Sequence, residues 1–191
     1  ARFGGQNEEM EQSFDSLKIA LVLAIFLVYL VMASQFESLL HPLLILIAVP
    51  MAVAGSIIGL FITGTHLSVV VFIGLIMLAG IVVNNAIVLV DRINQLRQEG
   101  MDKLTAINQA AQSRLRPIMM TTLTTTLGLL PMAIGIGDGS EVRAPMAITV
   151  IFGLSMSTLL TLLVIPALYA LFDRKQYTQN DDDLNTAETP A

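Results

Sequence analysis

The chain alternates between long apolar runs and short polar segments. Five of the runs come close to the roughly 20 apolar residues that an α-helix needs to cross the hydrocarbon core of a bilayer. The fourth run is diluted by threonines, but their hydroxyls can bond back to carbonyls of their own helix. The pattern therefore predicts five transmembrane helices, at Leu17–Ala33, Leu43–Ile62, Leu67–Val90, Ile118–Ile136 and Pro145–Phe172.

A sixth helix is predicted in the polar loop before the fourth run. Four apolar residues recur there at helical spacing, and Asp102 precedes them as an N-cap residue. We expect an amphipathic helix over about 102–115 that lies on the membrane surface and ends near Pro117. The apolar residues concerned are Leu104, Ile107, Ala111 and Leu115.

Both ends of the chain are polar. Residues 1–16 have neither a basic n-region nor a cleavage-site pattern, so they do not read as a signal peptide. We expect them to be the end of a larger protein, so that the chain is a fragment or a truncated copy. Residues 175–191 are polar and acidic, which is typical of a disordered tail.

Composition supports the membrane assignment. The 191 residues are 54% hydrophobic and only 13% charged, with a mean hydropathy of +0.74. Soluble domains carry about 25% charged residues. The fold class predicted is therefore an all-α polytopic membrane protein. The absence of cysteine excludes disulfides and thiol catalysis, and the absence of a basic patch argues against binding to nucleic acid.

Positive charge predicts the orientation in the membrane. Seven of the ten lysines and arginines lie in the segments that follow the third and fifth spans. Because cytoplasmic loops are enriched in these residues, we place these segments in the cytoplasm and the N-terminus outside. The residues are Arg92, Arg97, Lys103, Arg114, Arg116, Arg174 and Lys175.

Glycines mark candidate helix contacts. Gly55 and Gly59 form a G-x-x-x-G pattern in the second span, and Gly80 lies in the third. Small residues let helices approach closely where lipid provides no hydrophobic drive for association. The alternative is that glycine is simply common in membrane helices.

Two adjacent amides, Asn84 and Asn85, interrupt the apolar third span. They lie about 100° apart around a helix, so they face different neighbours. One interpretation is interhelical hydrogen bonding, worth about 1 kcal/mol for each bond. The other is a polar site in a transport pathway, although an amide does not titrate and cannot carry a proton itself.

Other chemistry finds little support. The serines within the spans have no histidine at a similar depth, so an intramembrane hydrolase lacks its nucleophile–base pair. His41 and His66 lie at loop edges without a second ligand at metal spacing, and we interpret both as interfacial residues. We predict no enzyme activity and no metal site.

Four strings resemble the C-terminal membrane half of resistance-nodulation-division (RND) efflux permeases, most closely their hydrophobe/amphiphile branch. The strings are "VYLVMASQFESLLHPLLILIAVPMAVAG", "GLIMLAGIVVNNAIVLVD", "RLRPIMMTTLTTTLGLLPMAIG" and "VIPALYALF". The resemblance runs from about Gly4 to Arg174. It makes residues 1–16 the last piece of the extracytoplasmic porter region and residues 17–174 a partial RND transmembrane domain.

The resemblance implies a homotrimeric inner-membrane pump with twelve helices per subunit, of which these five would be the last. Export of drugs or amphiphiles would be driven by the proton motive force, without a cofactor. The implied partners are the lipid bilayer and the rest of the permease, including its aspartate-bearing helix. In double-membrane bacteria, a periplasmic adaptor and an outer-membrane channel are also implied.

The resemblance also assigns a proton relay. The relay threonine and arginine of the family correspond to Thr121 and Arg114, and Asn85 keeps the expected amide. Asn84 stands where the family often has a lysine. An ammonium group would lower the pKa of the partner carboxylates, whereas an amide can only form a hydrogen bond to them. We therefore expect those carboxylates either to hold protons to higher pH or to take a counter-charge from another residue.

Two alternatives from the sequence remain open. The chain could be a truncated, non-transporting membrane paralogue that docks on other subunits through its glycine faces. A Patched-like lipid or sterol transporter of the same superfamily agrees less well with the quoted strings.

Overall fold

The computed structural model describes residues 3–36 and 39–172, with side chains from residue 8 onward. Five helical segments are long and apolar enough to cross a membrane, judged by length and composition: Glu8–Phe36, Leu40–Thr63, Val69–Gln98, Lys103–Ile134 and Ser140–Phe172. The predicted five spans are therefore confirmed. The predicted disordered tail, 175–191, lies outside the described residues.

The helices are α1 (Phe3–Phe36), α2 (Leu40–Leu46), α3 (Ala48–Thr63), α4 (Val69–Gln98), α5 (Lys103–Ile134) and α6 (Ser140–Phe172). The second span is divided into α2 and α3 at Ile47. Pro50 accounts for this break, because it has no N–H to donate to the carbonyl of Leu46. The first span is longer than predicted, since residues 3–16 continue α1 instead of forming a separate segment.

The predicted surface helix over 102–115 is wrong as a separate element. Residues 103–115 are helical, but they form the beginning of α5, which continues through Pro117 into the fourth span. Ala106, Ile107 and Ala110 are buried within the helix bundle and not turned to a membrane surface. This burial offsets the roughly 3 kcal/mol that a proline costs inside a helix.

Glycines in the left-handed backbone conformation follow two of the spans, on the same side of the bundle. Gly64 follows α3 with φ 66°, and Gly135 follows α5 with φ 89°. Both conformations are costly for residues with a Cβ, so glycine is the natural C-terminal cap. At the start of α4, Ser68 accepts a hydrogen bond from the Val71 amide at 3.4 Å.

Helix α6 is the centre of the bundle, because it packs on α3, α4 and α5. Helix α1 lies at the edge, where it packs on α2 and α4 and leaves most of its apolar surface exposed. An edge-to-face contact between Phe14 and Phe72, with ring centroids 5.3 Å apart, joins the outer parts of α1 and α4.

Three glycines allow α3, α4 and α6 to approach closely. A Cβ on Gly55 would lie 2.5 Å from the Cβ of Met156, and one on Gly59 would overlap Phe152. A Cβ on Gly153 would overlap the side chains of Leu78 and Ser56 and lie 2.9 Å from the Ala52 carbonyl oxygen. By contrast, no atom lies within 4 Å of a Cβ placed on Gly80.

The glycine contacts predict opposite effects for two alanine substitutions. Gly128 lies in α5 with open space around it. Gly128→Ala should stabilise this chain by up to about 1 kcal/mol through helix propensity. Gly153→Ala should destabilise it by about 1–3 kcal/mol, because the new methyl group overpacks the α3–α6 contact. Unfolding of each variant in detergent measures the difference, and equal stability would contradict the close approach.

Candidate functional site

Asn84 and Asn85 lie on different sides of α4. Asn85 is 7% exposed, and its amide nitrogen has no hydrogen-bond partner among the described residues. Asn84 is exposed within this chain. The roughly 100° between consecutive helical residues places Asn85 among neighbouring helices and leaves Asn84 pointing away from them.

Thr121 and Arg114 lie on one face of α5. The Thr121 hydroxyl donates to the Pro117 carbonyl of its own helix at 3.0 Å, and its side chain is exposed. Arg114 is half-buried, and its buried Nε has no partner among the described residues. Seven residues, or about 10 Å of helix, separate the two along that face.

The relative heights of α4 and α6 follow from two contacts. Leu78 lies against Gly153 toward the outer end, and the Tyr169 hydroxyl bonds to Asn94 near the other end. Both pairs join residues 75 positions apart in the sequence. The two helices are therefore parallel, with a constant offset over four turns.

This offset places Asn84 level with Leu159 of α6. A hydrogen bond of 2.9 Å between the hydroxyls of Thr122 and Thr158 sets the height of the antiparallel α5. It places Thr121 level with Leu159 as well. Asn84 and Thr121 consequently lie at the same depth on two adjacent helices.

The four residues predicted for the relay do not form a bonded cluster in this chain. Among the residues that the structure describes, no hydrogen bond joins Asn84, Asn85, Arg114 or Thr121 to another of the four. Asn84 and Thr121 share a depth and are both exposed, Arg114 lies two turns away, and Asn85 faces the bundle interior. The arrangement offers two amides, a hydroxyl and a guanidinium, none of which is a proton-accepting carboxylate.

Sequence reasoning missed a second polar group, which we name the Tyr169 cluster: His41, Asn94, Arg97 and Tyr169. Arg97 is only 4% exposed and His41 only 8%, although the sequence suggested a loop arginine and an interfacial histidine. The spacing of Asn94 and Arg97, one turn apart after the buried Val90, was the available signal. It was overlooked because α4 extends beyond the predicted end of the span.

No group of three or more histidine or acidic side chains that could hold a metal ion occurs within 3–36 and 39–172.

Comparison with known proteins places the chain in one family. The sequence model of the AcrB/AcrD/AcrF family matches residues 1–173. The chain is 43% identical over 167 residues to the swarming motility protein SwrC of Bacillus subtilis, covering 87% of this chain and 16% of SwrC. It is 43% identical over 173 residues to the multidrug resistance protein MdtC of Erwinia tasmaniensis, covering 90% of this chain and 17% of MdtC.

Metal-resistance proteins are also similar. The cobalt-zinc-cadmium resistance protein CzcA of Cupriavidus metallidurans is 38% identical over 179 residues, which cover 94% of this chain and 17% of CzcA. A crystal structure of a heavy metal efflux pump superposes with a TM-score of 0.79 at 34% identity, over 89% of this chain and 17% of that one. The similarity therefore extends to both multidrug and metal exporters.

The chain spans about one sixth of the length of the relatives that it matches. The family match covers all of the described residues, and the five apolar helices agree with a multi-pass membrane protein. The chain belongs to the AcrB/AcrD/AcrF family of RND efflux transporters, of which it represents a transmembrane segment.

Proposed function

We propose that this chain supplies half of the proton site of a complete efflux permease, in which Asn84, Thr121 and Arg114 meet carboxylates on a helix outside this chain. The observation that carries the proposal is the exposure of Asn84 in the middle of an apolar 30-residue helix. Proton influx through the completed site would drive export by alternating access.

The energetic argument concerns the amide of Asn84. An amide transferred from water to an apolar medium without hydrogen bonds costs several kcal/mol. Asn84 has no hydrogen bond among the described residues and shares its depth with the exposed Thr121. The Asn84 amide and the Thr121 hydroxyl are more stable against a polar helix surface than against lipid. Another helix would therefore cover this side of α4.

Gly80 supports the same placement. It lies one turn before Asn84 on the exposed side of α4, where nothing within 4 Å would meet a Cβ. A glycine in that position allows the backbone of another helix to come close. The carboxylates of that helix would then lie within reach of the Asn84 amide.

The residues would take different roles. Asn84 would donate a hydrogen bond to a carboxylate, and the Thr121 hydroxyl would turn from its own helix to do the same. Arg114 would supply the positive charge that a lysine at position 84 provides elsewhere in the family. Asn85 would anchor α4 within the bundle.

The complete permease would be a homotrimer in the inner membrane, with the N-terminus of this chain outside and its C-terminus in the cytoplasm. In double-membrane bacteria a periplasmic adaptor and an outer-membrane channel would extend the pathway. We favour drugs or amphiphiles as substrates, in agreement with the name of MdtC.

Export of metal ions is a second candidate, favoured by the likeness to CzcA and to the heavy metal efflux pump. Expression of the full-length pump in a host lacking its own exporters distinguishes the two. Increased tolerance to dyes and detergents with unchanged tolerance to zinc or cobalt supports amphiphile export, and the reverse result overturns it.

Asn84→Leu in the full-length pump should lower proton-driven efflux by about 10- to 100-fold, because a hydrogen bond to a charged group contributes roughly 1.5–3 kcal/mol. Efflux and proton flux in proteoliposomes provide the measurement. Met77→Leu, on the same exposed side of α4, is the matched control and should retain activity. Unchanged efflux and proton coupling in Asn84→Leu would leave only a packing role.

Asn84→Lys should shift the pH profile of efflux toward lower pH. A new ammonium group favours the ionised form of the partner carboxylates, so their pKa falls and protons bind only in more acidic medium. Asn84→Gln keeps a neutral amide and should leave the profile in place. A shift toward higher pH, or the same profile in both variants, would contradict contact with carboxylates.

Gly80→Leu should have different effects in two contexts. In this chain alone the side chain enters open space, so the better helix propensity of leucine should raise the free energy of unfolding by up to about 1 kcal/mol. In the full-length pump it should obstruct the covering helix, with a loss of about 1–3 kcal/mol from overpacking and reduced efflux. The effect of Gly80→Leu on the free energy of unfolding is measured in both proteins to test whether another helix covers this face of α4. The same effect in both would place this face against lipid.

A further inference from the structure

Tyr169, near the end of α6, is the point at which several helices meet. Its side chain is fully buried. Asn94 and Arg97 reach it from α4, and His41 reaches it from α2. None of these residues belongs to the proposed proton site, which lies about ten residues away along α4.

The hydroxyl of Tyr169 is bonded in two directions. It donates to the Asn94 side-chain oxygen at 2.5 Å and accepts from Arg97 Nη1 at 3.4 Å. The amide nitrogen of Asn94 lies 3.5 Å from His41 Nδ1. A directional chain of polar contacts therefore runs from Arg97 through Tyr169 and Asn94 to His41.

Ring contacts add to the junction with α2 and extend it to α1. His41 stacks on it, with centroids 5.6 Å apart and planes 2° from parallel. Phe36 at the end of α1 meets His41 edge-on at 5.9 Å. The guanidinium carbon of Arg97 lies 5.9 Å from the Tyr169 ring centroid, within the range of a cation–π contact.

The first residue of α5 is fixed beside the same point. Lys103 Nζ donates to the carbonyl of Ala170, the residue next to Tyr169 in α6, at 2.6 Å. Residues from α1, α2, α4, α5 and α6 thus converge within two adjacent positions of α6.

This junction differs in kind from the apolar contact of Leu78 with Gly153, which joins α4 to α6 toward the other end of α6. Close apolar packing restricts the distance between helices but tolerates small axial shifts. Hydrogen bonds do not tolerate such axial shifts, because a shift of one residue moves a helix by about 1.5 Å and breaks the hydrogen-bond geometry. Since the buried polar groups of the Tyr169 cluster require partners, they select one height of α4 relative to α6.

We propose that Tyr169 is a positioning residue that sets the axial height of α4, and through it the depth of Asn84 and Asn85. Its hydroxyl holds α4, and its ring holds α2 through His41, so the ends of these helices move as one unit. The consequence for transport rests on the proposed proton site; the positional role itself does not.

The test uses Tyr169→Phe in the full-length pump, which removes the hydroxyl and keeps the ring. Tyr29→Phe is the matched control, because Tyr29 is half-buried two turns before the end of α1 and the structure shows no side-chain hydrogen bond for it. Amide hydrogen exchange should become about five- to tenfold faster over 91–98 and 165–172, corresponding to the loss of one or two buried hydrogen bonds. Exchange over 52–59 should not change.

A second measurement addresses transport. Tyr169→Phe should raise the number of protons consumed per substrate exported, because a displaced α4 misaligns the proton site, and Asn94→Ala should reproduce the effect. A merely structural role would reduce the amount of folded pump without changing this ratio. Tyr29→Phe should leave both exchange and ratio unaltered.

The outcomes separate the two proposals. Unchanged exchange in Tyr169→Phe overturns the positioning role. Faster exchange with an unchanged proton ratio, in a pump where Asn84→Leu does alter that ratio, overturns the link from Tyr169 to the proton site. Faster exchange together with an inert Asn84→Leu overturns the proposed proton site and supports the positioning role of Tyr169 alone.

Discussion

At Gly55, Gly59 and Gly153 the backbones of α3 and α6 come so close that a single methyl group would overlap a neighbour. In a bilayer, apolar side chains gain little by leaving lipid for protein, so dispersion contacts at short range must hold helices together. The serine hydroxyl of Ser56 lies in this contact and donates to carbonyls of both helices, Ala52 at 3.0 Å and Thr149 at 2.9 Å. The remaining helices are arranged around this pair.

In this arrangement α4 has one packed side and one exposed side. One side packs on α6, where Leu78 fills the space beside Gly153, and buries Asn85 seven residues later. The other side is open and carries Asn84. A single helix can thus be anchored in this bundle and still present a polar group to a partner, which is what a site shared between two parts of a transporter requires.

Different interactions hold the two ends of α6 in the bundle. Toward the outer end, α3 and α6 meet through small residues in close contact, and the Ser56 hydroxyl links the two helices. Toward the other end Tyr169 gathers a histidine, an amide and a guanidinium into a directional set of contacts. Buried polar groups of this kind add little net stability, because desolvation offsets much of their attraction, but they discriminate strongly between alternative alignments. The described helices therefore combine a tight packing contact with a separate device for alignment.

Length and hydropathy by themselves determined the five spans, because a bilayer admits few backbone structures and a helix must be about 20 apolar residues long. The family resemblance came from the four specific strings of residues. The sequence also indicated the pair Asn84 and Asn85, since amides are conspicuous in an apolar run. It did not indicate which of the two is buried. The two side chains point about 100° apart, and only the packing of α4 on α6 decides which direction faces the bundle.

Only the tertiary structure decided the remaining features. The continuation of α5 through Pro117 depends on burial of the preceding turns, which local propensity does not contain. The shared depth of Asn84 and Thr121 arises from the contacts that other residues of α4 and α5 make with α6. Arg97 and Tyr169 are 72 residues apart in the chain, and the physical reason that they meet is the parallel packing of α4 and α6.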